Sequence, residues 1–244
     1  MKMNTAIEIM GLRKDFGAKT AVNNLNLAVP EGEIFAFLGV NGAGKTTTIR
    51  MLTGLTAPTS GEAKVLGHSI LTELNEVKKL GNLSPQETSV APNLTVQENL
   101  EFNAGIYGFS KEDSRRKTEE VIGQFGFEEI RNSRAKTLSG GWQRKLSIAM
   151  ALITEPKVLY LDEPTLGLDV LARRDLWKVI RSLKGKVTVI LTTHYMEEAE
   201  ELSDHIAVMA KGRLMAVGTL AELQAKTGKE KLEDIFVSIV EETE

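Results

Sequence analysis

Gly39-Val40-Asn41-Gly42-Ala43-Gly44-Lys45-Thr46 fits the phosphate-cradling spacing G-x-x-x-x-G-K-[ST], and the flanks decide what it means. Ahead of it runs Ile34-Phe35-Ala36-Phe37-Leu38, apolar and short enough for a buried strand. Behind it, Thr47-Thr48-Ile49-Arg50-Met51-Leu52 has helix-forming length with Ile49 and Leu52 apolar. Strand, glycine loop, helix is the order a triphosphate site needs. Glycines let successive backbone N–H groups curl around a phosphate, and the helix N-terminus adds partial positive charge. Lys45 would reach the outer phosphates, and the Thr46 hydroxyl would coordinate Mg²⁺. A chance glycine loop would not fit eight positions with both flanks correct, so the chain is expected to bind a nucleoside triphosphate.

Working outward, Ile7 to Leu12 and Val22 to Val29 alternate apolar with polar residues, the mark of half-exposed, antiparallel strands. Lys14-Asp15-Phe16-Gly17 is placed in the turn between them, and Pro30-Glu31-Gly32-Glu33 turns the chain into the buried strand. After the first helix, Pro58-Thr59-Ser60-Gly61 is a turn cluster and Glu62 to Leu66 a short strand. The texture then becomes helical. Thr95-Val96-Gln97-Glu98 is a capping box, Ser110 opens a helix to about Phe125, and a third helix begins near Leu138 with Trp142, Leu146, Met150 and Ile153 on one stripe. The α/β pattern returns with strands Val158–Leu161 and Val187–Leu191, a helix from Asp169 to about Leu183, and a short helix from Met196. A hairpin turning at Lys211-Gly212 follows. The final stretch, about 219–244, reads as helical with an acidic end.

The 244 residues suit one large domain, and 42% hydrophobic with 26% charged residues is ordinary for a chain with a sizeable core. A net charge of −3 gives no basic platform, so no nucleic-acid partner is expected. The absence of cysteine excludes disulfides and thiolate chemistry and fits a reducing cytoplasm. No stretch reaches signal-peptide character or the ~20 apolar residues that span a bilayer, so any membrane role would be borrowed from another chain.

Three buried runs end in special polar groups: the glycine loop, Asp162-Glu163, and His194. Open parallel sheets bind ligands outside the carboxyl ends of their strands, so one site built from three distant stretches is expected. Asp162 suits the carboxylate that holds Mg²⁺, directly or through water. Glu163 is expected to point elsewhere, because side chains alternate along a strand, and to orient or deprotonate an attacking water. His194 would contact the terminal phosphate. Singly, an acidic pair is a solvated strand end and a lone histidine is structural, the class in which His68 and His205 stay; only the joint pattern lifts Asp162, Glu163 and His194 above it.

Gly39 to Thr46, Gln86, Leu138-Ser139-Gly140-Gly141-Trp142-Gln143-Arg144, Val158 to Thr165, Gly167-Leu168-Asp169 and His194 together resemble the ordered motif set of ABC-transporter ATPase subunits, over nearly the whole chain. The resemblance implies an α/β P-loop NTPase core, about 1–85 and 156–218, with an antiparallel β subdomain. It also implies an α-helical subdomain inserted at about 86–155 and a tail at about 219–244. It implies an ATP site formed by Phe16, Gly39, Asn41, Gly42, Ala43, Gly44, Lys45, Thr46 and Thr47, with Phe16 stacked on adenine. Mg²⁺ would be held by Thr46, Gln86 and Asp162, and catalysis carried by Glu163, His194, Lys45 and Gln86. Two such domains, identical or paralogous, would pair head to tail, so that each ATP also meets Ser139, Gly140, Gly141 and Gln143 of the other, with Asp169 working across the interface. Ser139 is expected to cap its helix, and the two glycines to offer unobstructed N–H groups to a γ-phosphate. Val40, Trp142 and Leu166 depart from the family pattern.

The same resemblance implies separate integral-membrane permease subunits contacted through Gln86 and about 87–108. The chain would then be peripheral on the inner face of the membrane. The tail around Leu232 to Val237 is similar to ATPases of ABC-2-type export systems. The competing reading is an ABC-type ATPase acting on nucleic acid, ribosomes or regulation. The interval between Thr46 and Leu138 is too short for the coiled-coil insertion of the chromosome proteins, and the translation factors carry two such domains where this sequence has one.

Overall fold

The alternating pattern at the start of the chain becomes two 12-residue strands, β1 (Thr5–Phe16) and β2 (Lys19–Pro30), paired antiparallel. The computed structural model describes residues 4–241; residues 1–3 and 242–244, the latter with most of the acidic end, lie outside it. Lys14, Asp15 and Phe16 belong to β1 rather than to the turn, which is Gly17-Ala18. Side chains explain the extension: the Arg13 guanidinium donates to Asp15 at 2.8 Å and the Thr20 hydroxyl donates to Asp15 at 2.7 Å, clasping the two strands near the turn.

The chain continues through β3 (Ile34–Leu38), α1 (Lys45–Leu52), β4 (Ser60–Val65), β5 (His68–Ser69), α2 (Leu74–Leu80) and β6 (Gly81–Ser84). Three helices come next, α3 (Val96–Ile106), α4 (Lys111–Phe125) and α5 (Gly140–Leu152). Then come β7 (Val158–Asp162), α6 (Val170–Arg181), β8 (Thr188–Thr193), α7 (Met196–Leu202), β9 (His205–Ala210), β10 (Arg213–Gly218), α8 (Leu220–Thr227) and α9 (Leu232–Glu241). The capping box before α3 is made in full: Glu98 N–H donates to the Thr95 hydroxyl at 3.1 Å, and Thr95 N–H donates to the Glu98 carboxylate at 2.7 Å. Ser110 likewise caps α4. Sequence pattern alone leaves α2 and β6 unassigned. β6 is four residues of Gly, Asn, Leu and Ser with only Ser84 buried, too short and polar to carry a strand pattern.

A four-stranded antiparallel sheet runs β2-β1-β4-β5, and a six-stranded sheet runs β10-β9-β3-β8-β7-β6. In the latter only β10 is antiparallel; β9, β3, β8, β7 and β6 are parallel. The α/β class with an antiparallel β layer is therefore as expected. Alternation sorts each parallel strand onto two cores. Ile34, Ala36, Leu38, Leu159 and Leu161 face the helices, with Leu100, Leu146 and Leu176. Phe35, Phe37, Tyr160 and Ile190 face the antiparallel sheet and α1, with Ile7, Leu25 and Ile49. Burial on both faces explains why β3, β7 and β8 read as unbroken apolar runs. Trp142, without an account in the sequence, packs against Phe127 with ring centres 5.9 Å apart and lies under the Lys145 ammonium. Among the described residues no helix is long and apolar enough to cross a membrane.

Candidate functional site

The glycine loop leaves β3 and enters α1 through Gly44, whose φ of +103° is left-handed. A side chain there would also meet the Ala21 carbonyl oxygen at 2.6 Å, so only glycine serves. The first-turn N–H groups of α1 have no partner inside the helix and point with its positive end toward the loop. Lys45 opens that turn. Its buried ammonium donates to the carbonyls of Gly39 at 2.6 Å and Val40 at 3.3 Å, and lies 3.2 Å from Glu163 Oε1.

β7 ends at Asp162, and Glu163 comes next in a left-handed conformation, φ +48°. The two carboxylates do diverge, but this turn and not strand alternation separates them. Asp162 accepts hydrogen bonds from Thr46 at 2.9 Å and Thr192 at 2.6 Å. Glu163 lies between Lys45 and His194, with Oε2 2.7 Å from His194 Nδ1. Glu163 N–H donates to the Thr192 hydroxyl at 3.0 Å, so one threonine at the end of β8 fixes both acids. His194 is backed by Tyr195, ring centres 4.1 Å apart, and the Arg173 guanidinium covers Tyr195 at 4.8 Å. An ammonium–carboxylate–imidazole chain of this kind can bind an anion at Lys45, take a proton at Glu163 and hold that carboxylate through His194.

These groups line a cleft of about 430 Å³ with Asn41, Gly42, Ala43, Gly44, Thr46, Thr47 and Gln86. Phe16, 52% exposed, and Leu166 also line it. Gly39 does not line it and acts through its carbonyl, which holds the Lys45 ammonium. The four parallel strands β3, β6, β7 and β8 thus deliver their carboxyl ends to one place, β6 bringing Gln86 from two residues beyond its end. Ser139, Gly140, Gly141 and Gln143 do not line the cleft. Ser139 and Gly140 stand at the N-terminus of α5, where both are exposed. The expected Ser139 cap is corrected: Ser139 occupies the N-cap position, but its side chain makes no capping hydrogen bond. Gln143 instead donates back to the carbonyls of Ala135 at 3.1 Å and Leu138 at 3.2 Å, holding the loop before the helix. Gly141 is less open than expected, because a Cβ there would lie 2.9 Å from the Ala172 Cβ of α6. Asp169 caps α6 by accepting from Ala172 N–H at 2.9 Å. His68 and His205 pair with Glu73 and Glu33, outside the cleft.

Two buried charges have no role in the sequence reading, Arg144 standing there only as the last letter of a motif and Glu198 not at all. Arg144 on α5, 2% exposed, donates to backbone carbonyls of the Pro85 and Asp162–Pro164 segments. Burial pulls its guanidinium below the ordinary value, against the opposing pull of Asp162, Glu198 and Glu163. Glu198 on α7 is fully buried and accepts from the Trp177 indole at 3.2 Å. Burial pushes its carboxyl up, while the bond from Trp177 resists. A weak signal existed for Glu198: at helical spacing it shares a stripe with Ala199 and Leu202, both buried.

A parallel sheet whose strand ends gather a glycine loop, a buried lysine, an acidic pair and a histidine is the architecture of a P-loop nucleoside triphosphatase. A family model described as "ABC transporter" matches residues 22–166, and the chain belongs to that family, as one of its ATP-binding, ATP-hydrolysing components. It is 42% identical over 235 residues to the daunorubicin/doxorubicin resistance ATP-binding protein DrrA of Streptomyces peucetius, across 94% of this chain and 71% of that protein. It is 46% identical over 210 residues to the human phospholipid-transporting ATPase ABCA3, across 86% of this chain, but spans only 12% of that protein's length. The solved ATP-binding subunit of an ABC transporter superposes with a TM-score of 0.85 at 29% identity, covering 97% of this chain and 100% of that one. CbiO1 of Clostridium perfringens, part of the ABC transporter complex cbiONQ, gives 0.83 at 25% identity over 91% and 92%.

Proposed function

We propose that the chain is a single ABC ATPase domain, with core and helical subdomain divided near residues 85 and 155, that works as a head-to-tail pair around two ATP–Mg²⁺ to drive export through separate membrane subunits. The observation that carries this is the separation within one chain of two phosphate-seeking elements. The glycine loop lines the cleft, while Ser139 and Gly140 present the start of α5 elsewhere on the surface. Each half-site is completed by a second copy or a paralogue.

The residues in the cleft suit a magnesium triphosphate. Thr46 and Asp162 bring a hydroxyl and a carboxylate into contact, and Gln86 lines the same space, a small oxygen set that leaves room for water and phosphate oxygens on the ion. The metal would neutralise charge on the phosphates. Lys45 binds the outer phosphates, exchanging its bond to Glu163 for one to the nucleotide. Glu163, released from Lys45, takes the proton of the attacking water, and His194 keeps its carboxylate aimed. Phe16 offers an exposed ring to adenine. ATP acts as a motor ligand because only the closed pair offers it both elements. A preference of ~10⁴-fold, about 5.5 kcal/mol, moves such an equilibrium from 1:99 to 99:1. Hydrolysis removes the γ-phosphate that bridges the halves.

A second groove of about 480 Å³, lined by Leu52, Leu55, Leu83, Asn103, Tyr107 and Tyr160 among others, lies between the core and the helices, with Phe102 and Ile106 of α3 also exposed. It suits docking by a membrane subunit. The drug-resistance protein DrrA supports export as the direction. The test is twofold. The Glu163→Gln protein with ATP and Mg²⁺ should sediment as a dimer, and with ADP as a monomer; a monomer in both sinks the paired site. Co-purification with a polytopic membrane protein separates transport from a nucleic-acid or regulatory role, for which salt-sensitive nucleic-acid binding would be the sign.

A further inference from the structure

Arg144 stands on the helix that Ser139 and Gly140 open, five residues past Ser139 and so about 7.5 Å along the helix axis. Its guanidinium leaves that helix and spans two loops of the chain's own cleft. Nη1 donates to the Pro85 carbonyl at 2.5 Å, Nη2 to the Glu163 carbonyl at 2.7 Å and more weakly to Asp162 at 3.4 Å, and Nε to the Pro164 carbonyl at 2.8 Å. Every one of these acceptors is backbone. The side chain is therefore gripping the course of the chain beside Gln86 and Glu163, with the fixed fork that guanidinium alone supplies. At 2% exposure it has almost no solvent with which to exchange these bonds.

We infer that Arg144 is a positioning residue that couples the two nucleotide sites of the pair: it ties the α5 end that would grip the partner's nucleotide to the backbone of Pro85 and Glu163 in its own cleft. This rests on the head-to-tail reading above. When ATP in the opposite site seats on Ser139 and Gly140, a shift of α5 reaches Pro85 and Asp162–Pro164 through one rigid group. Each cleft thereby senses whether the other is filled. Lysine would keep the charge but not the fork, since one ammonium cannot bond both loops with the same geometry.

The test uses mixed dimers of the full chain, with one protomer carrying Lys45→Ala so that its own glycine loop is empty. With Arg144 intact, emptying that site should slow turnover at the remaining site by about 5-fold or more, the low end of ordinary coupling between sites. With Arg144→Lys in the protomer that still binds ATP, turnover should already be reduced by a similar factor when both sites are filled. Emptying the second site should then add no further loss per site, and half-saturating ATP should stay within about 2-fold. Arg144→Gln serves as a second variant if the lysine form does not fold. An unchanged response to the empty site in either variant overturns the inference, as does a wild-type pair whose sites ignore each other. Should Glu163→Gln form no ATP dimer at all, the paired reading itself has failed, which is a separate result.

Discussion

The cleft and the start of α5 are built from similar materials, glycines and small polar residues at a helix N-terminus, yet they end in opposite states. Around the cleft the buried charges are answered within the chain: Lys45 by Glu163 and two carbonyls, Glu163 by His194, Asp162 by two hydroxyls. At α5 the Ser139 side chain makes no cap bond and Gly140 faces solvent. The first is closed on itself; the second, on the paired reading proposed above, is completed by another molecule. Breaking the first should cost nucleotide binding even in isolated chains, or the chemistry of the pair; breaking the second should cost only what needs two chains.

The largest effect is expected from Glu163→Gln, which removes the proton acceptor but keeps the shape. ATP turnover should fall by about 10²–10⁴-fold with ATP binding retained, and a wild-type hydrolysis rate would falsify the role of Glu163. Lys45→Ala comes next. Truncating one partner of a buried charge pair costs about 2–5 kcal/mol, so ATP affinity by calorimetry should drop by at least the factor that about 2 kcal/mol implies. Unaltered affinity would count against the glycine-loop assignment. The contrast sharpens on two neighbouring glycines. Gly141→Ala should lower thermal stability by about 1–3 kcal/mol, since its methyl meets Ala172 at 2.9 Å. Gly140→Ala, with open space at its Cβ, should leave the melting temperature unmoved and weaken only ATP-driven pairing. Equal melting losses in both would mean that α5 is packed otherwise.

The smallest effect is a pH dependence at Glu198. Its folded carboxyl is raised above the ordinary 4.5 by burial, so the folded state holds the proton more tightly. Stability present below 4.5 is therefore lost as pH rises through the raised folded value. Glu198→Gln cannot lose it. The melting-temperature difference between the variant and wild type should grow in favour of the variant as pH rises from about 4.5, and a difference flat with pH would show Glu198 ionised alike in both states.

Most of this was legible in the sequence because strands buried on both faces, and a loop that only glycine can form, leave patterns that no neighbour needs to explain. β3, β7 and β8 could be read from their apolar runs, and the cleft residues from the polar groups that close each run. Other features depend on partners far along the chain. Lys14 to Phe16 look like a turn until Asp15 is seen bonded to Arg13 and Thr20. β6 exists because Gly81 to Ser84 pair with Val158 to Leu161, not because of their own side chains. Arg144 was visible as a letter in a motif but not as a group holding two loops, since its acceptors are carbonyls that carry no residue identity. Thr192 is similar: one hydroxyl serves two carboxylate residues by virtue of β7 and β8 being adjacent.

The contact between Gly141 and Ala172 has one more consequence. The two residues are distant in sequence, yet together they leave no room for an added methyl group. Bulk at either position must be surrendered at the other, so a library randomised at both is expected to return small residues in linked pairs. The helix that opens with Ser139 is thereby yoked to the one that lies beyond the acidic strand, and drift in one is policed by the other.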